Sequence, residues 1–418
     1  MSVTAPTPVV PPDWKVTPVE EVCDVQNGYA FKSAYFNDKD LGLPIIRIRD
    51  VHSGKSDTFY SGPFDERYLV DDDDLLVGMD GEFRVRKWRS GKGLLNQRVC
   101  RLLPKEGAMI AEFLYYSIGK PLKQIEDFTP FTTVKHIAAK QIRDIELPLP
   151  PIPEQKKIAH ILSTVQRAIE EQERIIQTTT ELKKALMHKL FTEGLRNERQ
   201  KQTEFGSIPQ SWQLPTVESV CAIKGSAMSY QQLESASNVS NGVRVMGVKV
   251  SDMNLFGNEI EFTTANLERQ LSAAEAIKRT VPKDAIVFPK RGAAIATNKK
   301  RLTTCPTVLD PNLMAVVPSA GVNHRFLFHW FNTFDLKKIT DPGPTPQLNK
   351  KDIAPLRFPM PPLNEQILIA AAIDAAEQKA TLHIKKRDQL QDLFRILLHD
   401  LMTAKTRLTT IELKKISP

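Results

Sequence analysis

The chain has 418 residues, too many for one ordinary domain and suited to two or three, and its 41% hydrophobic and 25% charged residues exclude a disordered or membrane-spanning class. No apolar run approaches the roughly 18 residues that a spanning helix needs. The formal net charge of +8 suits a polyanionic partner such as nucleic acid.

In chain order, "MSVTAPTPVVPPDW" has no basic start and no apolar stretch, so a short flexible arm over 1–12 is expected rather than a secretory signal. "VQNGYAFKS" (Val25 to Ser33) reads as a turn offering Lys32 and Ser33 to phosphate. "LPIIRIRDV" (Leu43 to Val51) alternates as a half-buried strand does, and "DDLLVGMDG" reads as a short buried strand running into a glycine turn. The segment "EFRVRKWRSGKG" after it holds Arg84, Arg86, Lys87, Arg89 and Lys92. "AEFLYYSIGKPLKQI" reads as a helix, and "PLPPIPEQKKIAHIL" (Pro148 to Leu162) as a stiff proline entrance to a long one. There Pro153 suits the first turn and Glu154 favours the helix dipole.

That helix carries a heptad seam through Ile158, Ile161, Val165, Ala168, Gln172, Ile175, Thr179, Leu182 and Leu186, with Leu162, Ile169, Ile176 and Leu190 widening it. Gly194 is its expected stop. From Pro153 to Glu193 the rise is about 60 Å.

The plan then repeats. "DWKVTPVEEVC" (Asp13 to Cys23) resembles "SWQLPTVESVC" (Ser211 to Cys221), and "PLPPIPEQKKIAHIL" matches "PMPPLNEQILIAAAI" (Pro359 to Ile373) at seven of fifteen positions. Between these anchors "GVRVMGVKV" and "KDAIVFPKRG" read as strands and "HRFLFHWFNTFDLKKI" as a helix. "PKRGAAIATNKKR" supplies a second basic group, Lys290, Arg291, Lys299, Lys300 and Arg301. Such clusters neutralise phosphates, and Arg also forks onto guanine; a solvated loop is the plain alternative. In the second long helix Asn364 is the expected N-cap, and Ile369, Ile373, Leu390, Leu393 and Leu397 its seam, interrupted at Lys379, His383 and Lys386. Lys405 lies opposite Gly194. The two helices are expected to pair antiparallel.

The fold class expected is therefore α+β: two α/β recognition domains in tandem, separated by two long antiparallel helices forming a coiled coil, with a pseudo-two-fold internal repeat. The boundaries are 1–12, arm; 13–152, first domain; 153–204, central helix; 205–363, second domain; 364–404, C-terminal helix; 405–418, tail.

No chemistry of its own is legible. "GKS" at Gly54 to Ser56 lacks the leading glycine of a phosphate loop, since Arg49 stands there. No N-P-P-[FY] or D-P-P-[FY] tetrapeptide marks an adenine methyltransferase, and the acidic run Asp71 to Asp74 has no following E-x-K of a nuclease. The eight histidines show no metal spacing; His188 and His399 match across the repeat as packing or partner contacts. The four cysteines have no C-x-x-C spacing and read as reduced thiols of a cytosolic protein.

The tandem plan, the two P-x-P-P-Φ-x-E-Q entrances, "ELKKALMHKLFTEGL" and "LFRILLHDLMT" resemble the DNA-specificity subunit of type I restriction-modification systems. "VQNGYAFKS", "PIIRIRDV" and "GLLNQRVCRL" also resemble that family's first domain, whereas "KGSAMSYQQ" departs in the second. The resemblance implies a non-catalytic subunit whose two domains each read half of a split, asymmetric double-stranded DNA target, with the helices setting the gap. It implies two modification (methyltransferase) subunits as partners, which carry the S-adenosylmethionine, and restriction (nuclease/translocase) subunits. It implies no cofactor on this chain and no membrane. A specificity subunit of a related type II methyltransferase-nuclease, a self-contained restriction-modification enzyme and a stand-alone DNA-binding protein are the alternatives.

Overall fold

A computed structural model of the chain describes residues 10–129, 135–340 and 346–408. The greater part of the expected arm (1–9) and of the expected tail (409–418) lies outside the described residues. The chain is α+β and divides into two compact units, one formed by 1–174 with 384–418, the other by 175–383. Each unit takes one portion of each long helix. No described helix is long and apolar enough to cross a membrane.

The first unit is built on four antiparallel strands, β1 (Cys23–Asn27), β2 (Leu75–Gly78), β3 (Val85–Lys87) and β4 (Val99–Pro104), in spatial order β1-β4-β2-β3. The inner strand β2 is buried along its whole length, hence its unbroken Leu-Leu-Val-Gly run. Helix α1 (Ala111–Phe128) covers this sheet through Phe113, Leu114, Ile118 and Leu122. A second small sheet takes Leu43–Ile46 and Gly93–Leu95 as parallel neighbours. The strand expected through Val51 stops at Ile46, because Asp50 accepts the Arg47 N–H at 2.9 Å and starts a short helix over Ile48–Ser53. Then comes the long helix α2 (Ile152–Thr192).

The second unit repeats the sheet with β5 (Cys221–Lys224), β6 (Glu261–Phe262), β7 (Ile286–Pro289), β8 (Arg301–Thr303) and β9 (Leu313–Pro318), in order β5-β9-β7-β8-β6. Its first four positions copy the first unit's order, and Cys221 pairs with Pro318 as Cys23 pairs with Pro104. Helix α3 (His324–Phe331) covers it, and α4 (Leu363–Met402) follows.

Within each unit the long helices run antiparallel. In the first, Ile158 and Leu162 of α2 share one core with Phe394, Leu397 and Leu401 of α4. In the second, Leu186 and Leu190 meet Ile369 and Ile373, and Lys183 pairs with Glu377 at 2.6 Å. The stripe withdrawn from solvent on α2 is 158, 162, 165, 169, 172, 176, 179, 183, 186 and 190, strictly alternating four and three. The residues expected only to widen the seam are therefore its centre. Ile158, Val165 and Leu186 lie on it. Ile161 and Ile175 are half-buried beside it, and Leu182 is 59% exposed. On α4 the stripe is 369, 373, 376, 380, 383, 387, 390, 394, 397 and 401. It keeps Ile369, Ile373, Leu390 and Leu397, but Leu393 is 44% exposed and Phe394 takes its place. Lys379 and Lys386 fall outside it, so only His383 of the three expected interruptions lies on the seam. Leu182→Ala is expected to change stability by less than about 0.5 kcal/mol. A loss of about 2 kcal/mol or more in urea melts returns Leu182 to the seam.

The helix entrances also differ from expectation. Each helix starts one residue early, with a proline carbonyl at the cap: Pro151 accepts from Glu154 and Gln155, and Pro362 from Glu365 and Gln366. Asn364 is thus inside the first turn, and both copies begin by the same means. Gly194 does leave α2 in the left-handed region at φ +67°, where an added Cβ meets Glu365 Oε1 at 2.8 Å. Ala404 takes that conformation after α4, at φ +55°.

Candidate nucleic-acid interface

Two joints hold the exposed surfaces in place, and both are built from the Glu-Gln pair at the helix entrance. In the first unit the Gln155 amide donates to Pro150 O and Ala108 O and accepts from the Ile110 N–H. Gln366 repeats this with Pro361 O, Gly321 O and the Asn323 N–H. Each glutamine thereby ties the spacer helix to the start of the helix covering the sheet. Glu154 receives the Trp14 indole N–H at 3.0 Å, two bonds from Arg407 and the Leu408 N–H. Burial by itself raises the Glu154 carboxyl, but these donors bring it below the ordinary carboxylate range. Glu365 accepts the Leu195 N–H at 2.9 Å, while the Trp212 indole N–H finds no acceptor.

Around these joints the expected contact residues scatter. Lys32 and Ser33 are exposed on a tight turn anchored by Gly28, where a Cβ would stand 2.1 Å from Asn96 O. Tyr29 and Tyr35 are exposed on the same turn, against Phe31, Tyr60 and Tyr68. The first basic segment is strand β3, an edge strand, with the turn after it. Arg84 pairs with Glu82 at 3.0 Å; Lys92 is exposed. Lys87 is engaged internally by Glu112 and lies over the Tyr115 ring. Arg86 and Arg89 border a groove of about 780 Å³ whose far wall is α2. That wall is Lys156, His160, Ser163 and Arg167, spaced four, three, four on the helix side away from the seam. Their spacing was open to reading in the sequence, but the seam drew attention to the other face. Arg89 approaches Asp73 and Glu170 at 3.7 and 4.0 Å, leaving Arg86, Lys156 and Arg167 without an ion pair among the described residues.

The second basic segment divides. Lys290 lines a pocket and Arg291 is exposed, bridging backbone to Gln347. Lys299 is held by Asn254. Lys300 is a correction. It is 1% exposed, its ammonium donates to Asn298 Oδ1 and Phe334 O at 2.8 and 3.0 Å, and burial brings it down to about 8. Arg301 is likewise drawn inward, donating to Lys300 O and Met253 O, and burial lowers it. Neither offers a free cation to a ligand.

Metal-type donors gather at His329, Asp374 and Glu377, mutually within 4.8 Å. Arg325 binds Asp374 through two bonds and Lys183 binds Glu377, so internal cations already balance both carboxylates. The cluster works as an ion network tying α3 to α4. The four cysteines are free, and burial pushes Cys23, Cys100 and Cys221 up to about 12, which leaves them unreactive.

The profile of a family described as the type I restriction modification DNA specificity domain matches residues 11–179 and 209–392. The chain is 27% identical over 382 residues to the type I restriction enzyme EcoBI specificity subunit of Escherichia coli, covering 86% of this chain and 78% of that one. It is 23% identical over 418 residues to the type I restriction enzyme MjaVIII specificity subunit of Methanocaldococcus jannaschii, covering 96% and 95%. In fold it is similar to the crystal structure of the type I restriction-modification S subunit from M. genitalium, with a TM-score of 0.61 at 16% identity over 93% of this chain and 96% of that one.

Proposed function

Given that the chain belongs to the type I restriction-modification DNA specificity family, we propose that its two domains each bind one half of an asymmetric bipartite DNA target and that α2 and α4 set the distance between the halves. The chain is a specificity subunit: it recognises DNA for a restriction-modification complex and carries out no catalysis itself. The observation carrying the proposal is the repeated joint. The same Glu-Gln pair fixes each spacer helix to each sheet, so the scaffold is copied while the surfaces it presents are not.

Several features support the assignment of surfaces. In the first domain the groove between Arg86 and Arg89 and the basic stripe of α2 suits a phosphate backbone; Lys92 is exposed just after it in the chain, and Lys32 and Ser33 are exposed on a separate turn of the same unit. In the second, Arg291 is the exposed member of the basic segment and the half-buried Lys290 borders a pocket; Lys300 and Arg301 support the shape of that surface rather than touching DNA. Different residues on the two surfaces imply an asymmetric target. Exposed apolar side chains on the helices, Leu182, Leu382, Leu393 and Ile396 among them, suit docking of two modification subunits, which supply S-adenosylmethionine and the methyl transfer to adenine. Restriction subunits complete the cleaving complex. A cytoplasmic location follows from a DNA substrate and four free thiols.

The test is the gap. Lys183 opposite Glu377 fixes the local register, so one heptad inserted after Thr178 and one after Ala380 preserve the seam. Seven residues add about 10.5 Å, or about three base pairs. Co-expressed with a modification subunit, the lengthened chain is expected to direct methylation to the same two half-sites separated by about three more base pairs. An unchanged gap in a map of methylated adenines sinks the ruler reading.

A further inference from the structure

We propose that the second domain holds one backbone phosphate of duplex DNA in a pocket formed by Lys224, Lys290 and Lys350, a grip that the first domain lacks; this rests on the DNA-binding reading above. The pocket has a volume of about 250 Å³ and lies where the end of β5, the residue after β7 and the turn at Asn349 converge. Three lysines border it and no carboxylate does. None of the three forms an ion pair among the described residues. Three positive side chains bordering one small space, none of them paired with a carboxylate within the described fold, suit an anion from outside.

The repeat supplies a control. Lys290 donates its N–H to Asn312 O and accepts from the Leu348 N–H; Met79 in the first unit does the same with Arg98 O and the Ile137 N–H. Asn349 is capped by Asp352 as Ala138 is by Gln141, which sets Lys350 against Ala139. The matched strand pairing of Cys221 and Cys23 sets Lys224 against Gln26. At the places that correspond by strand register and backbone hydrogen bonding the first domain therefore has Gln26, Met79 and Ala139, and the same framework folds. The lysines are not needed for the scaffold, so their convergence belongs to what this domain binds.

The ligand class follows from the donors. Lysine is a compact point charge without the planar fork that reads a base edge, so three of them grip a phosphate without regard to sequence. The pocket is open and larger than a phosphate group, which leaves room for the sugars on either side of a phosphodiester. The contact positions the second domain in register, leaving base reading to other residues.

The experiment titrates the full-length chain with a mixed-sequence duplex over a series of salt concentrations. K224Q/K290Q/K350Q is expected to lower the magnitude of the slope of log K against log salt by about 0.9, one phosphate, and to weaken binding on the order of fivefold at 0.15 M salt. K224R/K350R is expected to keep the wild-type slope. A triple variant with an unchanged slope overturns the pocket while wild-type DNA binding stands. A wild-type chain that binds no duplex overturns the DNA-binding reading itself, and this inference with it. If inorganic phosphate raises the melting temperature of the wild type and not of the triple variant, with no change in the duplex slope, the pocket takes free phosphate and the proposal fails. Should the triple variant melt early, K224Q alone, at an exposed strand end, carries the same test through a smaller fall in slope, and an unchanged slope there is equally fatal.

Discussion

Glu154→Ala is expected to destabilise the first unit by about 3–5 kcal/mol, several times the cost of an ordinary surface change. Glu154 is 5% exposed and receives four donors at once: two from the Arg407 guanidinium, the Trp14 indole and the Leu408 N–H. Removing it leaves a buried indole N–H and a backbone N–H without acceptors, and leaves Arg407 with Asp13 alone. Glu365→Ala is expected to cost less, about 1–3 kcal/mol, because among the described residues Glu365 accepts only the Leu195 N–H and holds Arg196 at a looser 3.5 Å. Chemical denaturation of the two variants checks the order. Equal losses would mean that the repeated glutamate acts through the helix dipole alone, which both copies share.

That joint shows where sequence reasoning stops. The repeat, the helix pairing and the α+β class were legible because they rest on identity at a distance and on period. The Glu-Gln pair was visible as letters, yet its partners Ile110, Asn323, Leu195 and Leu408 lie far off in the chain and are joined through backbone groups, which carry no sequence signal. Alternate positions of the seam, and not the whole of it, are read one residue early for a different reason. At 161/162, 168/169 and 175/176 two adjacent residues are both suitable, so two lines of the helix compete. They part at 182/183, where the apolar Leu182 points the reading outward and the true seam takes Lys183, whose charge is met by Glu377. Lys300 misled in the opposite sense: in a run of basic residues nothing marks the one whose stem and ammonium are enclosed by Asn298 and Phe334. Charge type gave the candidate surfaces, and only burial separates the cations that face a ligand from those that hold the fold.

The ion network of the second unit makes the same distinction measurable by pH. His329 is 1% exposed and meets Asp374 at 2.7 Å, and Arg325 binds the same carboxylate at 2.6 and 2.9 Å. Burial raises the Asp374 carboxyl, but the bonds from His329 and Arg325 outweigh it and bring it down to about 2. A carboxylate depressed in the folded state stabilises the fold above its unfolded value, near 3.9, and that contribution is lost as pH falls through the folded value. The wild type is therefore expected to lose about 1–2 kcal/mol through this group between about pH 4 and pH 2, a figure that allows for the partial exposure of Asp374. Asp374→Asn is expected to be less stable by about 2–3 kcal/mol at neutral pH and to lack that acid-side loss, so that the two curves converge on acidification. Parallel curves would remove Asp374 as the acid-sensitive group. A variant as stable as the wild type at neutral pH would mean that apolar packing of Phe326, Ile369 and Ile373 holds α3 to α4 without the charges.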